Sequence, residues 1–154
     1  MPDIKKILAP TDFSEPSYTA LRQAGDWAKH FKADLSVLYV VPPVPALSPD
    51  PNYAFELPRY EEALHSNAEE RLREVIDEHL GSGIQAHAMV GYGDAAREIV
   101  RIAEKEMIDL IVIATHGLTG WRHLVFGSVA EKVVRLSPSP VLTVRIPDEM
   151  RSYE

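Results

Sequence analysis

The sequence predicts an α/β domain: a single open, mainly parallel sheet with helices on both faces. Three observations predict it. Short apolar runs alternate with stretches whose apolar residues recur every three or four positions, as strands interleaved with amphipathic helices do. Two of the runs, DLSVLYVV (34–41) and DLIVIAT (109–115), are apolar nearly throughout, the pattern of strands covered on both faces. The 154 residues also carry no internal repeat and no linker, so they form one core rather than two. The β-α-β order then implies right-handed crossovers.

Each element has its own justification. IKKILAP (4–10) reads as a strand stopped by Pro10. Ser14 suits an N-cap, Glu15 and Pro16 suit a first turn, and Leu21, Ala24, Ala28 and Phe31 mark the apolar face of a helix over 15–31. Strand 34–41 follows. From Pro42 to Pro58 the chain holds six of its 12 prolines, which predicts a loop throughout, either a functional lid or a tolerated surface insertion. Residues 59–80 read as a helix with Leu64, Ala68, Leu72, Val75 and Ile76 on one face, joined by His79 or Leu80 and stopped by GSG (81–83). IQAHAMVG (84–91) alternates imperfectly, as a strand at or near a sheet edge would. GYGD (91–94) is a turn and cap, Asp94 opening a helix through Met107 with Ile99, Ala103 and Met107 inward. Strand 109–115, a helix over 128–136 and strand VLTVRI (141–146) complete the order.

Composition narrows the function. A net charge of −7 disfavours a nucleic-acid partner, because phosphate backbones call for a clustered basic surface. Without cysteine there is no disulfide, thiolate zinc site or thiol nucleophile, which suits a cytoplasmic protein. MPDIKKILAPTDF has too short an apolar run for a signal segment, and no run reaches the roughly 18 apolar residues of a membrane span. A soluble cytoplasmic chain with no membrane partner is therefore expected. His65, His79, His87 and His116 show no zinc-ligand spacing. Trp27 lies beside the apolar face of its helix, as a core or interface residue would, and Trp121 either anchors its loop or touches a ligand.

In doubly wound sheets, ligands bind beyond the carboxyl ends of the strands, where strand order reverses. Two loops carry chemistry for such a crevice: Pro10-Thr11-Asp12-Phe13-Ser14 after the first strand, and the glycine-rich stretch ATHGLTGWRHLVFGS (114–128) after the fourth. Gly117 can take a positive φ and let a ligand approach the backbone. Gly127 and Ser128 open the last helix, where unpaired N–H groups and the positive end of the dipole favour an anion, with the Ser128 hydroxyl as a further donor. A phosphate group is the obvious occupant. The plainer alternative is a simple βα loop in which Ser128 only caps the helix. No G-x-x-x-x-G-K-[ST] is present, and no G-x-G-x-x-G follows the first strand, so the P-loop and dinucleotide fingerprints are both absent.

From KKILAPTDFS through SPSPVLTVR the chain resembles the universal stress protein family. Nucleotide-binding members of that family show G-x-x-G, nine residues, then G-[ST]. Here the pattern reads Ala114-Thr115-His116-Gly117, nine residues, then Gly127-Ser128, with Ala114 in place of the first glycine. The resemblance implies a five-stranded parallel sheet in the order 3-2-1-4-5, a domain over 1–147 with a short tail over 148–154, and ATP at the junction of strands 1 and 4. AMP and ADP are alternatives. It also implies Asp12, beside Pro10 and Thr11, near the ribose and phosphates, where it helps place magnesium or manganese. Val40 would read adenine through its backbone. Gly117, Gly127, Ser128 and the Val129 N–H would cradle the phosphates, and dimers would form through the last strand, about Val141–Arg145. Ala114 would crowd the nucleotide if backbone approach is tight there, and would matter little within strand geometry.

Enzyme and binding module are weighed separately. His116 lies beside the proposed phosphate site, and histidine is the side chain type suited to proton transfer near neutral pH, so it is the candidate for that role. No lysine lies in the glycine loop, and Arg122 and His123 read as solvent-facing loop residues. Ser128 sits in F-G-S-V-A rather than a nucleophile elbow. The leading expectation is an ATP-binding stress or signalling module whose loops, read by an unknown protein partner, respond to nucleotide, with no catalytic residue assigned. A slow metal-dependent ATP hydrolase and a nucleotide-free dimeric scaffold are the alternatives.

Overall fold

The computed structural model describes residues 3–43, 51–116 and 126–146, with the backbone alone for 51–56. The elements are β1 (Lys6–Pro10), α1 (Glu15–Phe31), β2 (Asp34–Val41), α2 (Pro51–His79), β3 (Ala86–Tyr92), α3 (Ala95–Lys105), β4 (Leu110–Ala114), α4 (Ser128–Leu136) and β5 (Val141–Val144). The five strands form one parallel sheet in the order β3-β2-β1-β4-β5. The α/β class and the strand order are as expected, and 84–91 indeed holds an edge strand.

Alternation along the strands divides the core in two. Ile7 and Ala9 of β1, Leu35 and Val37 of β2, and Leu110 and Val112 of β4 face α1 and α2, where Leu21, Ala24, Leu72 and Val75 meet them. Their neighbours Leu8, Leu38, Ile111 and Ile113 face the opposite layer, packing against Ile99, Ala103, Ala130 and Val133 of α3 and α4. Inner strands are buried on both faces, which is why β2 and β4 read as continuous apolar runs. α1 carries the chain from β1 to β2 and α2 from β2 to β3. α3 then returns across the sheet to β4 on the other face, so the direction of winding reverses between β1 and β4.

Three expectations need correction. The loop predicted over 42–58 is helical from Pro51 onward, with Pro58 inside α2. A proline at a helix start loses no bond it would otherwise make, and Pro58 forgoes one i→i−4 bond near the start of a long helix whose later turns bury Ala68, Leu72 and Val75. Residues 44–50 of that loop lie outside the described residues. α3 ends at Lys105, and Met107 is not inward: it takes a left-handed φ of 53° and is 74% exposed, while Ile108 turns into the core. Of the two expectations for Trp27, core or interface, the core one is corrected: the ring stacks on Phe31 at 5.5 Å and is exposed.

Leu8 is fully buried on the α3/α4 side of the central strand. Leu8→Ala should lower the unfolding free energy by about 2–5 kcal/mol, measured by urea titration. A loss below about 1 kcal/mol would contradict close packing at the centre of the sheet.

Candidate functional site

The reversal between β1 and β4 leaves a cleft of about 330 Å³ beyond the carboxyl ends of the strands. Its size falls within the range of small-molecule sites. β1 and its following turn supply Pro10, Thr11 and Asp12; β2 supplies Leu38, Tyr39 and Val40. β4 and the residues after it supply Ile113, Ala114, Thr115 and His116, and α4 opens on the cleft with Gly127, Ser128, Val129 and Ala130. Ala95 and Ile99 of α3 and Ser17 of α1 complete the lining. Every site residue expected from the sequence and lying within the described residues therefore meets in one cleft. Gly117 lies outside the described residues, as do Gly120, Trp121, Arg122 and His123.

The turn after β1 is held by a closed set of short-range hydrogen bonds. The Thr11 N–H donates to the Leu38 carbonyl at 2.8 Å, which carries the β1–β2 ladder one residue past Pro10. The Thr11 hydroxyl is 2.8 Å from the Ser17 hydroxyl and accepts from the Phe13 N–H at 3.0 Å. Asp12 Oδ1 accepts from the Ser14 N–H at 3.1 Å and from the Ser14 hydroxyl. Ser14 in turn caps α1 by accepting from the Ser17 N–H. To make this turn, Phe13 adopts a φ of 63°, a conformation that strains a bulky side chain by on the order of 1–3 kcal/mol.

On the β4 side, the Gly127 N–H donates to the Thr115 carbonyl, which holds the start of α4 against the end of its strand. Gly127 is the N-cap, Ser128 the first helical residue, and among the described residues no side chain caps this end. The reading of Ser128 as a helix cap is therefore overturned. Among the described residues the first N–H groups of α4 consequently have no side-chain cap at the cleft, where an anion can satisfy them. His116 Nδ1 is 2.9 Å from the Thr115 hydroxyl, itself 3.4 Å from the Val144 carbonyl. Ala114 ends β4 in register with Val144 and belongs to the core on the α1 side. Its methyl thus occupies ordinary strand geometry.

The apolar end of the cleft was not singled out in the sequence. Leu38 and Val40 share a strand face by period two, and Ala95 and Ile99 share a helix face four residues apart, so both pairs were legible as surfaces but not as a pocket. α3 is fixed there by Glu98. Arg101 donates to its two oxygens, Nε at 2.8 Å and Nη2 at 2.6 Å. A Cβ on Gly91 would come within 2.7 Å of the Glu98 Cγ, so β3 has glycine where Glu98 packs. The Arg101 bonds hold the Glu98 carboxyl below the usual glutamate range against the opposing effect of burial, and the Tyr92 backbone N–H adds to the lowering.

Comparison with known proteins agrees with this geometry. The model of the universal stress protein family matches residues 3–145. The chain belongs to that family. Universal stress protein MJ0531 of Methanocaldococcus jannaschii is 38% identical over 93% of this chain and 83% of its own length. Among solved structures, the universal stress protein UspA from Lactobacillus plantarum is 26% identical with a TM-score of 0.75, covering 94% of this chain and all of its own. A universal stress protein crystallised in complex with cAMP is 25% identical with a TM-score of 0.65, over 93% of this chain and 98% of that one.

Because the folded-state pKa of Glu98 is depressed, its ionised form contributes stability above the unfolded-state pKa and loses it as pH falls through the folded value. The stability difference between the native chain and Glu98→Gln should therefore shrink as pH falls from about 6 to about 3 in urea titrations. A difference that stays constant or widens toward low pH would contradict the pairing.

Proposed function

We propose that this universal stress protein binds an adenine nucleotide, ATP foremost with AMP and ADP as alternatives, in the cleft between β1 and β4. The observation that carries the proposal is the glycine-capped start of α4, tied by Gly127 to Thr115 and opening on the same cleft as Asp12. Backbone N–H groups at Gly127, Ser128 and Val129 suit the phosphates, with Gly117 as the remaining cradle residue. The apolar end formed by Leu38, Val40, Ile99 and Ile113 suits the base, with the Val40 backbone reading adenine. A family member solved with cAMP supports an adenine nucleotide as the occupant.

Asp12 is the one carboxylate among the described lining residues. Among the described residues no three His, Asp or Glu side chains cluster, so magnesium or manganese would be held jointly by Asp12, the phosphates and water. Ala114 in strand geometry leaves the cradle open, which favours nucleotide binding over an empty scaffold. His116 borders the cleft, and that placement supports slow hydrolysis as the second reading.

In the cell, the protein acts as a cytoplasmic stress-response module in which nucleotide biases loop conformation for a protein partner. Such a switch requires unequal nucleotide affinity in the two conformations. β5 is an edge strand with Val141, Leu142 and Thr143 only half-buried, which supports a homodimer formed through it. Among the described residues no helix is long and apolar enough to cross a membrane.

Calorimetric titration with magnesium and ATP should show saturable binding, weaker binding of GTP, and at least tenfold lower ATP affinity in Asp12→Ala. No heat with any nucleotide, in protein shown free of co-purified nucleotide, would overturn the proposal. Release of labelled phosphate in the same samples separates binding from turnover.

A further inference from the structure

We propose that Phe13 and Arg71 are positioning residues for the nucleotide cleft, linking helix α2 to Asp12. Asp12 borders the cleft, while the adjoining Phe13 packs in the layer of α1 and α2 on the opposite face of the sheet. The φ of 63° at Phe13 is what sends two consecutive side chains to these two places. A bulky residue keeps such a conformation only where its surroundings hold it.

Two contacts hold it. The Phe13 ring lies 4.5 Å from the Tyr39 ring, tilted by 43°. The Arg71 guanidinium of α2 stands 4.1 Å over the Phe13 ring, within the range of a cation–π contact. Tyr39 borders the cleft itself and also, with Phe13 and Arg71, a second cavity of about 410 Å³ beneath α2. A shift of α2 would thus reach Asp12 through the Phe13 ring, on which Arg71 sits while its side chain also bonds to Tyr18 of α1. Reciprocity requires that nucleotide bound at Asp12 also bias the seating of α2. The coupling rests on the nucleotide-binding proposal, whereas the ordering of the turn by Arg71 does not.

Two measurements separate them. Without nucleotide, Arg71→Ala should speed amide hydrogen exchange at Phe13 and Ser14, whose N–H groups bond to Thr11 Oγ1 and Asp12 Oδ1, by at least tenfold. The Arg97 amide, bonded to the Asp94 cap, should be unchanged. With magnesium and ATP, Arg71→Ala and Phe13→Ala should each weaken binding at least threefold, and the double variant should lose no more than Phe13→Ala alone. Phe13→Tyr, which keeps the ring, should restore the native affinity. Unchanged exchange at Phe13 and Ser14 overturns the positioning role. Losses that simply multiply in the double variant overturn the shared path. Faster exchange in a chain that binds no nucleotide would uphold the ordering of the turn and overturn the link to nucleotide.

Discussion

The pairing of β1 with two parallel neighbours, β2 on one side and β4 on the other, is the constraint on which the rest of the structure depends. The helix after β1 packs on one face of the sheet and the helix after β4 on the other. Among the described residues no helix covers the gap between them, and a cleft results from topology before any side chain is chosen. The start of β1 is pinned to β4 by Asp109, whose carboxylate accepts from the N–H groups of Lys5 and Lys6 at 2.9 Å. At its other end the Thr11 N–H extends the pairing with β2. Both ends of the central strand are thereby set, and so is the position at which Asp12 emerges.

Local chemistry then gives the cleft its polarity. Three helices start at its rim, and the N-termini of α1 and α4 are treated differently. α1 is capped by Ser14, which is bonded to Asp12, so that end is satisfied and carries a carboxylate. α4 has a glycine at its cap and, among the described residues, no side-chain bond there, so its N–H groups can donate to an anion. The contrast places an acceptor for a cation opposite donors for a phosphate. Strain at Phe13 belongs to the same arrangement, since the backbone departs from common conformations beside Asp12 at the cleft.

Most of this was legible in the sequence because the signals are local. Period-two and period-3.6 patterns predicted every strand and helix within a few residues except the start of α2, which begins eight residues earlier than expected, and the cleft residues after β1 and β4 were recognisable from glycine, serine and aspartate beside buried strands. What was not legible depends on tertiary context. The proline density of 42–58 argued against any helix, yet a proline near a helix start removes little bonding while the packing of later turns sustains the element. The inward assignment of Met107 followed helical periodicity past a terminus set by a left-handed residue. Ser128 read as a cap because serine prefers that position, and Gly127 occupies it instead. The apolar end of the cleft combines residues from β2, α3 and β4, a meeting that no single stretch of sequence contains.

The most direct measurement is a crystal structure of the protein grown with magnesium and ATP at saturating concentration. The phosphates should lie against the backbone N–H groups of Gly127 to Val129, with the base beside Val40 and Ile99 and the metal at Asp12. Nucleotide bound elsewhere, such as in the cavity beneath α2, or a cleft that stays empty under those conditions, would contradict the assignment of the β1–β4 reversal as the nucleotide site.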